Sequence, residues 1–380
     1  DTQAIMLFDQ NNDGTLDLIE GTSTNQVNTL WRNFEYGSGF GNFVDTHSTM
    51  LAATFTTSIA TGDIDNDSDI DLVIGNSLGQ ANEVWFNAGA TGVFSTPNFV
   101  DSSQALGSDD TTSLVLVDID GDLGGTLDLV VGNTNGQGNQ VWLNDGSGVF
   151  TDSGASLGTG DTTSITVGDI DGDLDLDIVT GNGNNQPNRV WRNNGSGVFI
   201  DSGQAIGTSD TTGVALSDVD TDGDLDIICS NSSGQANKLW MNDGAGAFSD
   251  SGQDLGSSDS TSVAVGDLTG NNGPDIVFAN AGGQANTVWI NDGSGNYPAA
   301  PSQNLGSSDT TSLDVNDVDN DGDNDIVFGN TAAQGNTLWI NDGTGFFSDT
   351  LQEIGSSDTQ AIMLFDQNND GTLDLIEGTF

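Results

Sequence analysis

A unit that recurs seven times is the feature of this chain that most restricts how it folds. One Trp marks each unit, and the same frame, Gln-x-Asn-x-(Val/Leu)-Trp, precedes it every time. Successive Trp residues lie 49 to 57 residues apart, at Trp31, Trp85, Trp142, Trp191, Trp240, Trp289 and Trp339. Such a period indicates stacked supersecondary units such as propeller blades, whereas a calcium-binding β-helix, the alternative repeat fold, has a far shorter period.

Each unit contains four short apolar runs that are rich in Val, Ile, Leu and aromatic residues, which is typical of strands. Between the third and fourth runs stands Asn-Asp-Gly-Ser-Gly or a variant, which supplies the positive-φ positions of a tight hairpin. These motifs begin at Asn144, Asn193, Asn242, Asn291 and Asn341. We therefore predict an all-β, seven-bladed β-propeller of four-stranded antiparallel blades. The predicted units lie near 1–54, 55–109, 110–160, 161–209, 210–258, 259–308 and 309–357, and 358–380 begins a further one.

Acidic loops lie between the first and second strands of the units. The chain has 57 acidic and 4 basic residues, a formal net charge of -53, and nearly all of the acid is Asp. The loop pattern is Asp-x-Asp-x-Asp-Gly-x-x-Asp, and carboxylates at alternate positions of a tight loop converge on one point. Hard oxygen ligands in that number favour structural Ca²⁺ over zinc or copper. The best copies are Asp169, Asp171, Asp173, Asp177; Asp218, Asp220, Asp222, Asp226; Asp317, Asp319, Asp321, Asp325; and Asp63, Asp65, Asp67, Asp71, with Ser68 in the Gly position.

The remaining copies depart from this pattern. In one loop two extra residues separate Asp118, Asp120 and Asp122 from Asp128, so that loop must bulge to close. Another keeps only two carboxylates, with Asp267, Thr269, Asn271 and Asp275 at the ligand positions, and we expect it to be empty or weak because affinity follows ligand charge. The first unit and the start of the last one use Asp9, Asn11, Asp13, Asp17 and Asp366, Asn368, Asp370, Asp374.

With these motifs, the units resemble FG-GAP or VCBS-type repeats, the family that includes the head propeller of integrin α chains. The resemblance covers the whole chain and implies a calcium-binding propeller in which a backbone carbonyl at the seventh loop position completes the metal shell. The Gly-Ala-Pro tripeptide of animal members is replaced by Gly-Asn, as at Gly181-Asn182 and Gly329-Asn330. The VCBS-type branch is therefore the closer match, and integrin-like ligand recognition is not implied.

Charge and composition exclude several classes of function. So negative a chain lacks the Lys and Arg that phosphate contacts require, so we expect no nucleic-acid partner. No apolar stretch is long enough for a membrane span. The only His, His47, lies in an irregular stretch. The lone Cys229 lies in an apolar run and is interpreted as a small buried hydrophobe. No catalytic triad or activated nucleophile is apparent in the sequence. We predict a protein that is not an enzyme and that lies outside the cell, where calcium fills such loops.

Two repeated features leave alternatives open. The Trp residues lie inside apolar strands, which favours packing between blades, although aromatic faces also suit sugar rings. The Gln and Asn before each Trp either satisfy loop backbone or form a ring of amides that binds a glycan, as a lectin does. Glycosylation sequons stand at Asn66, Asn194 and Asn231.

Residues 1–22 recur without a change at 358–379, an offset of 357 residues, and both copies contain only the first two strands of a unit. A single seven-bladed ring has one place for those strands. Three interpretations remain: a string of similar propellers, terminal strands that complete a neighbour's blade, or an artificial duplication. The predicted function is a structural or adhesive module in a tandem array or fibre whose partners are other copies of the chain; a carbohydrate-binding lectin is the alternative.

Overall fold

Each sequence repeat forms one four-stranded antiparallel sheet, because every unit supplies four short apolar runs joined by turn motifs. In the computed structural model of the chain, the described residues are 2–12, 15–23, 26–34, 42–45, 53–89, 99–122, 124–271, 273–355, 358–366 and 372–379. The seven sheets are the blades of an all-β propeller, which confirms the predicted fold class. We number them sheet 1 to sheet 7 along the chain and number the strands within each sheet from first to fourth.

The chain divides into two compact units. The first unit comprises 1–162, 194–199 and 366–374, and the second comprises 163–193, 200–365 and 375–380. Sheets 1 to 3 have the strands Thr2–Phe8, Asp17–Thr22, Thr29–Phe34 and Asn42–Asp45; Thr56–Gly62, Asp71–Asn76, Asn82–Asn87 and Phe99–Leu106; and Thr111–Val117, Asp128–Asn133, Gln140–Asn144 and Phe150–Asp152. A short pair, Gln26–Val27 with Ala53–Thr54, lies beside them.

Sheets 4 to 7 follow the same order. Their strands are Thr162–Gly168, Asp177–Asn182, Asn188–Arg192 and Ile200–Ile206; Thr211–Ser217, Asp226–Asn231, Lys238–Met241 and Ser249–Asp254; Ser260–Gly266, Asp275–Asn280, Asn286–Trp289 and Gln303–Leu305; and Thr310–Asn316, Asp325–Asn330, Asn336–Asn341 and Phe347–Ile354. Two further strands, Thr359–Phe365 and Asp374–Thr379, pair with each other as a separate two-stranded sheet. We call them the last hairpin, and we call Thr2–Phe8 with Asp17–Thr22 the first hairpin.

The hydrophobic core lies between successive sheets of a unit. In the second unit one cluster joins Val219 and Ile228 of sheet 5 to Phe278 and Trp289 of sheet 6. Clusters of the same kind join sheets 1 and 2, 2 and 3, 4 and 5, and 6 and 7. Cys229 is 1% exposed within the cluster of sheets 4 and 5, which confirms its interpretation as a small buried hydrophobe.

A bulge near the start of the first strand ties one sheet to the next. The pairing of first and second strands shifts register after the first Thr or Ser of the strand, for example between Thr211 and Gly213. A bulge redirects the side chain of the extra residue, and here that residue is Thr212, whose Oγ1 donates to the carbonyl of Ser260 in the next sheet at 2.8 Å. Thr57, Thr112, Thr163, Thr261 and Thr311 make the same contact.

No helix with the length and hydropathy needed to cross a membrane occurs among the residues described above.

Candidate metal centres

Five loops between first and second strands each bring three carboxylates together. One oxygen from each carboxylate lies within 4.8 Å of the others. In four loops the triad consists of the first, second and last Asp of the motif, namely Asp63, Asp65, Asp71; Asp169, Asp171, Asp177; Asp218, Asp220, Asp226; and Asp317, Asp319, Asp325. The fifth triad is Asp118, Asp120, Asp122. These groups have the hard oxygen donors that can hold a metal ion.

In the seven sheets, the last Asp of each motif is buried and is fixed by the backbone through both of its oxygens. In sheet 5, Oδ2 of Asp226 accepts the N–H of Val219 at 3.0 Å and Oδ1 accepts the N–H of Asn242 at 2.8 Å. The residue is 1% exposed. The same pair of backbone bonds is made by Asp17, Asp71, Asp128, Asp177, Asp275 and Asp325. This carboxylate therefore anchors the loop to the end of the third strand, and in four loops it also belongs to the triad.

The second Asp supplies the observation that points to a cation. The Oδ1 atoms of Asp65, Asp171 and Asp220 are buried and accept no hydrogen bond from the described residues. A buried carboxylate oxygen without a donor is costly, because the charge has lost its water. A cation bound between the three carboxylates would satisfy these oxygens, so the residues present fit a metal ion.

In the four loops of regular length, the third Asp of the motif shapes the loop and lies outside the triad. In sheet 5, Oδ1 of Asp222 accepts the N–H of Asp224 at 3.0 Å, two residues further on. Asp67, Asp173 and Asp321 make the same local bond. The first Asp is used in a similar way, since Asp218 accepts the N–H of Asp222 and of Gly223. The role of the third Asp as a metal ligand stays a prediction.

In the four triads that include the last Asp of the motif, burial raises the pKa of that carboxyl group. The pKa of Asp71 rises to about 7, and those of Asp177 and Asp226 rise to about 6. The main cause is loss of solvent, which the two backbone N–H donors only partly offset, and neighbouring Asp charges add to it. The pKa of Asp171 is also raised, by burial and by Asp173. A divalent cation would reverse this effect, because it favours the charged carboxylates.

A prediction on pH follows from these shifts. A carboxyl group whose folded pKa lies above its ordinary value favours the folded state when it is protonated, and this contribution is lost as the pH rises through the folded pKa. Metal-free protein is therefore expected to melt at a lower temperature at pH 8 than at pH 5. With excess calcium we expect the opposite order, because calcium binds the deprotonated triads. Melting curves of demetallated protein in metal-free buffers check this, and a melting temperature that rises with pH without calcium would contradict it.

The loop with two extra residues closes differently from the others. Its triad is formed by Asp118, Asp120 and Asp122, while Asp128 keeps its buried place and its bonds to the backbone. Asp122 also accepts bonds from the N–H and the hydroxyl of Thr126, and this contact lies within the lengthened segment. With the extra length, the last Asp is not one of the three clustered carboxylates, and its role as a fourth ligand stays a prediction.

The loop of sheet 6 brings no third carboxylate to Asp267 and Asp275. Asn271 stands at the third position, where its Oδ1 accepts the N–H of Gly273 at 2.7 Å and its Nδ2 donates to the carbonyl of Asn291 at 3.2 Å. The Asn271 side chain is thus used for hydrogen bonds to the backbone around its own loop. That this loop is empty or weak stays a prediction.

The loops of the two hairpins are only partly described. Asp9, Asn11 and Asp17 of the first hairpin and Asp366 and Asp374 of the last one are placed, and the N–H of Asn11 donates to Oδ1 of Asp9 at 3.3 Å. The predicted ligands Asp13, Asn368 and Asp370 lie outside the described residues, as does His47.

In five cases an Asn at the end of the third strand bonds the loop of the preceding sheet, and the sequence alone did not reveal this role. Nδ2 of Asn242 donates to the carbonyl of Ile170 in the loop of the preceding sheet at 2.8 Å, while its Oδ1 accepts the N–H of Gly246 at 3.1 Å. Asn87, Asn144, Asn291 and Asn341 make the same contact with a preceding loop. The recurrence of this Asn in every hairpin motif was the available signal, but it was interpreted only as part of a turn.

Arg192 is a second residue that the sequence did not single out. Its Nη1 lies 3.8 Å from Oδ2 of Asp171, and its Nη2 donates to the carbonyl of Ala245 at 2.7 Å. The guanidinium therefore lies close enough to the triad of sheet 4 to compete with a metal cation for the negative charge of Asp171.

One loop of the second unit holds a residue in an unfavourable backbone conformation. Leu174 occupies the Gly position of the motif, with φ at 76°, and its side chain is 88% exposed. A left-handed conformation costs a non-Gly residue about 1–2 kcal/mol.

Leu174→Gly is expected to stabilise the folded protein by up to about 1 kcal/mol, after subtraction of the conformational entropy that Gly adds to the unfolded chain. Denaturant unfolding in calcium measures this change. The matched reverse change, Gly223→Leu in sheet 5, is expected to destabilise, and equal effects of the two variants would contradict the argument.

The aromatic and amide residues of the repeat frame pack and support the blades. Four of the seven Trp side chains are nearly buried, with exposures of 5% for Trp85, 6% for Trp191, 1% for Trp289 and 9% for Trp339. The amides satisfy backbone, since Oδ1 of Asn237 accepts the N–H of Asn231 at 2.7 Å and Oε1 of Gln235 accepts the N–H of Asp210 at 2.6 Å. These contacts favour the packing and backbone interpretations over a sugar site built from these residues.

Of the three sequons, Asn66 and Asn194 are exposed, whereas Asn231 is 1% exposed and is not accessible to modification in the folded chain.

The repeats of this chain match a known family of repeats. The model of the FG-GAP-like repeat matches residues 125–180, 169–229, 218–278, 267–328 and 317–376, which together span more than half of the 380 residues. The chain belongs to the FG-GAP-like repeat family. This confirms the resemblance inferred from the sequence, while the preference for the VCBS-type branch stays a prediction. Each match contains at least one of the loops described above. A search of curated proteins gives no match to this sequence.

Several solved structures have a similar fold at low sequence identity. An Agrocybe aegerita lectin, described as recognising non-reducing terminal N-acetylglucosamine, is 20% identical over 80% of this chain and 81% of its own, with a TM-score of 0.50. A chain of the BBS1N–ARL6DN complex is 13% identical over 87% of this chain and 89% of its own, with a TM-score of 0.53. A functionally unknown protein from Desulfotomaculum acetoxidans is 15% identical over 80% and 91%, with a TM-score of 0.52. At these identities the likeness concerns the fold.

Proposed function

We propose that this chain is an extracellular calcium-binding propeller that acts as a structural or adhesive module in a tandem array or fibre, and that it is not an enzyme. The observation that carries the proposal is the repetition of a carboxylate triad in five loops, three of which hold a buried oxygen that accepts no hydrogen bond within the described part of the chain. Calcium accepts several oxygen ligands in flexible geometry, and loops of modest affinity fill where the ion is abundant, outside the cell.

The distribution of perturbed acids supports a structural role for the metal. The carboxyl groups with pKa values raised to about 6 or 7 are Asp71, Asp128, Asp177 and Asp226. Each of them accepts backbone N–H groups through both oxygens. A general acid or base needs a carboxyl group that is free to exchange a proton with a substrate, whereas these groups are committed to holding the loop.

The test is assembly of the full chain in calcium. We expect sedimentation and negative-stain electron microscopy to detect ordered multi-copy assemblies with excess calcium and dispersed chains after chelation. Titration by metal counting should give about five bound ions per chain, one for each triad. A chain that stays monomeric at high concentration in saturating calcium would overturn the array.

A lectin is the second candidate, since the Agrocybe aegerita lectin has a similar fold. A shallow groove of about 450 Å³ in the first unit is the candidate glycan site. Its polar lining includes Gln80, Glu83, Asp101 and Ser103. Binding to immobilised glycans that end in N-acetylglucosamine would support the candidate if Glu83→Ala abolished it. Binding that Glu83→Ala leaves unchanged would count against this groove.

A further inference from the structure

We propose that Arg192 sets the calcium affinity of the sheet-4 triad and makes it the weakest of the three triads in the second unit. Those triads are Asp169, Asp171, Asp177; Asp218, Asp220, Asp226; and Asp317, Asp319, Asp325. The inference rests on the proposed function, because it concerns how strongly one of the calcium loops binds its ion.

The residue that follows the Trp of the third strand lies beside the second Asp of its own loop. In sheet 5 this residue is Met241. A Cβ added to Gly295, in the hairpin of the next sheet, would lie 2.9 Å from Cβ of Asp220 and 3.4 Å from Cε of Met241. Apolar side chains contact the equivalent Gly in sheets 2, 3 and 6 as well, namely Phe86, Leu143 and Ile290. An apolar neighbour is therefore the usual one for the second Asp.

Sheet 4 has a guanidinium in the place of that apolar neighbour. A Cβ added to Gly246 would lie 3.1 Å from Cβ of Asp171 and 3.0 Å from Nη2 of Arg192, so the arrangement matches that of sheet 5. Nη1 of Arg192 lies 3.8 Å from Oδ2 of Asp171. Nη2 donates to the carbonyl of Ala245 at 2.7 Å, and this bond holds the guanidinium next to the triad. Arg32 holds the equivalent position in sheet 1, whose loop is only partly described.

The three loops of the second unit are matched in their own charge. Each has Asp at the same five alternate positions, which are 169 to 177 in sheet 4, 218 to 226 in sheet 5 and 317 to 325 in sheet 7. Three carboxylates give each triad a formal charge of -3, and the adjacent guanidinium reduces this charge to -2 in sheet 4. The difference between the sheets thus comes from Arg192 and not from the acidic residues.

The charge of Arg192 acts directly on a divalent ion. Calcium affinity in loops of this kind follows the charge of the ligand set. Repulsion between a unit charge and a divalent ion about 6 Å apart lowers affinity about tenfold even at the dielectric constant of water. We therefore expect the sheet-4 triad to need about ten times more calcium than the sheet-5 triad for the same occupancy.

Arg192 weakens the site without replacing the metal. The side chains of Arg192 and Asp171 are 36% and 16% exposed, and an ion pair of this length so close to solvent contributes little to stability. Oδ1 of Asp171 and Nε of Arg192 are buried and have no hydrogen bond to the described residues. The guanidinium thus leaves one oxygen of the triad without a partner, and a calcium ion can still bond it.

Calcium titration of the full chain tests the role of Arg192. Equilibrium dialysis of demetallated protein against buffered calcium gives the number of ions bound at each free concentration. Arg192→Met places the sheet-5 residue in sheet 4, and we expect one ion to bind about tenfold more tightly than in the parent chain. Asp171→Ala identifies that ion, because it should remove the weakly bound ion from the parent and the tightened ion from the Arg192→Met chain.

Met241→Arg makes the reciprocal change in sheet 5 and is the matched control. It should weaken the binding of one ion by about the same factor, and Asp220→Ala should remove that ion. The sheet-5 loop has Gly223 where the sheet-4 loop has Leu174, so this variant separates the charge of Arg from the backbone strain at Leu174. Arg192→Lys retains the charge and should leave the sheet-4 ion weakly bound, whereas Arg192→Leu should act as Arg192→Met does.

Melting curves without metal distinguish charge from packing. Arg192→Met loses one partly exposed hydrogen bond and a weak ion pair, so metal-free protein should melt within about 4 °C of the parent. A larger loss of melting temperature with unchanged calcium affinity would mean that Arg192 only packs the two sheets, and would overturn the proposal. Tightening by Arg192→Lys equal to that by Arg192→Met would also overturn it.

The same titrations separate this proposal from the proposed function. A chain that binds several calcium ions, none of them altered by Arg192→Met or by Met241→Arg, would overturn the role of Arg192 and leave the calcium-binding propeller intact. A parent chain that binds no calcium would overturn the proposed function itself.

Discussion

Removal of calcium from the full chain is expected to lower its melting temperature by about 20 °C. A ligand that binds only the folded state at a hundred times its Kd contributes about 2.7 kcal/mol per site, and three triads lie in the second unit alone. For a unit of that size each kcal/mol corresponds to about 2–4 °C. The physical reason is that three carboxylates within 4.8 Å repel one another when no cation lies between them.

The measurement is differential scanning calorimetry of demetallated protein with and without saturating calcium, followed by metal counting. Magnesium is the matched control, because it demands strict octahedral geometry and gives up its water reluctantly, so it should restore much less of the melting temperature. If the calcium-loaded and calcium-free states melt within about 3 °C of each other, far less than the shift expected from ligand linkage, the acidic loops are ordinary turns and the metal hypothesis is wrong.

The second and the last Asp of one triad are expected to differ strongly when each is replaced. Both Asp220→Ala and Asp226→Ala should remove one bound calcium. Without metal, however, Asp226→Ala should destabilise sheet 5 by about 3 kcal/mol, because it leaves the N–H groups of Val219 and Asn242 without an acceptor. Asp220→Ala should leave metal-free stability unchanged or improved, because it removes a buried oxygen that has no hydrogen-bond partner among the residues that the structure describes. Denaturant unfolding of the demetallated variants makes the comparison.

Asp275→Ala is the control for the stability that the last Asp contributes through its two backbone hydrogen bonds. Asp275 makes the same two backbone bonds, with Leu268 and Asn291, in a loop that has no carboxylate triad among its described residues. We expect the same loss of about 3 kcal/mol with no change in the number of bound calcium ions. Equal metal-free stability of the Asp220→Ala and Asp226→Ala variants would show that the last Asp acts as a metal ligand only.

Much of the architecture followed from local patterns in the sequence. The spacing of the Trp frame determined the number of repeats, and the four apolar runs determined the four strands of each sheet, because alternating burial and turn chemistry act over a few residues. The positive-φ glycines of the hairpin motif were predicted for the same reason, and Gly146 and Gly148 adopt φ of 80° and 76°. The position of the acidic loops between first and second strands was likewise evident from the sequence alone.

The metal centres were only partly predictable, because convergence of side chains depends on the path of the loop. Spacing suggested that all four Asp residues of a motif face one point. In four loops of the structure the third Asp, as at Asp222, bonds its own loop, and the first, second and last Asp form the triad, whereas Asp122 of the lengthened loop belongs to its triad. The role of Asn242 was also hidden, because its partner Ile170 belongs to the preceding sheet, 72 residues earlier in the chain.

The two hairpins show which properties the local sequence determines and which depend on the tertiary structure. Residues 1–22 and 358–379 are identical, and both form the same two strands with the same bounds, because strand formation and the turn between strands are local properties. Yet Ile19 is fully buried and Ile376 is only half-buried. Burial depends on which strand lies alongside, and only the tertiary structure determines that neighbour.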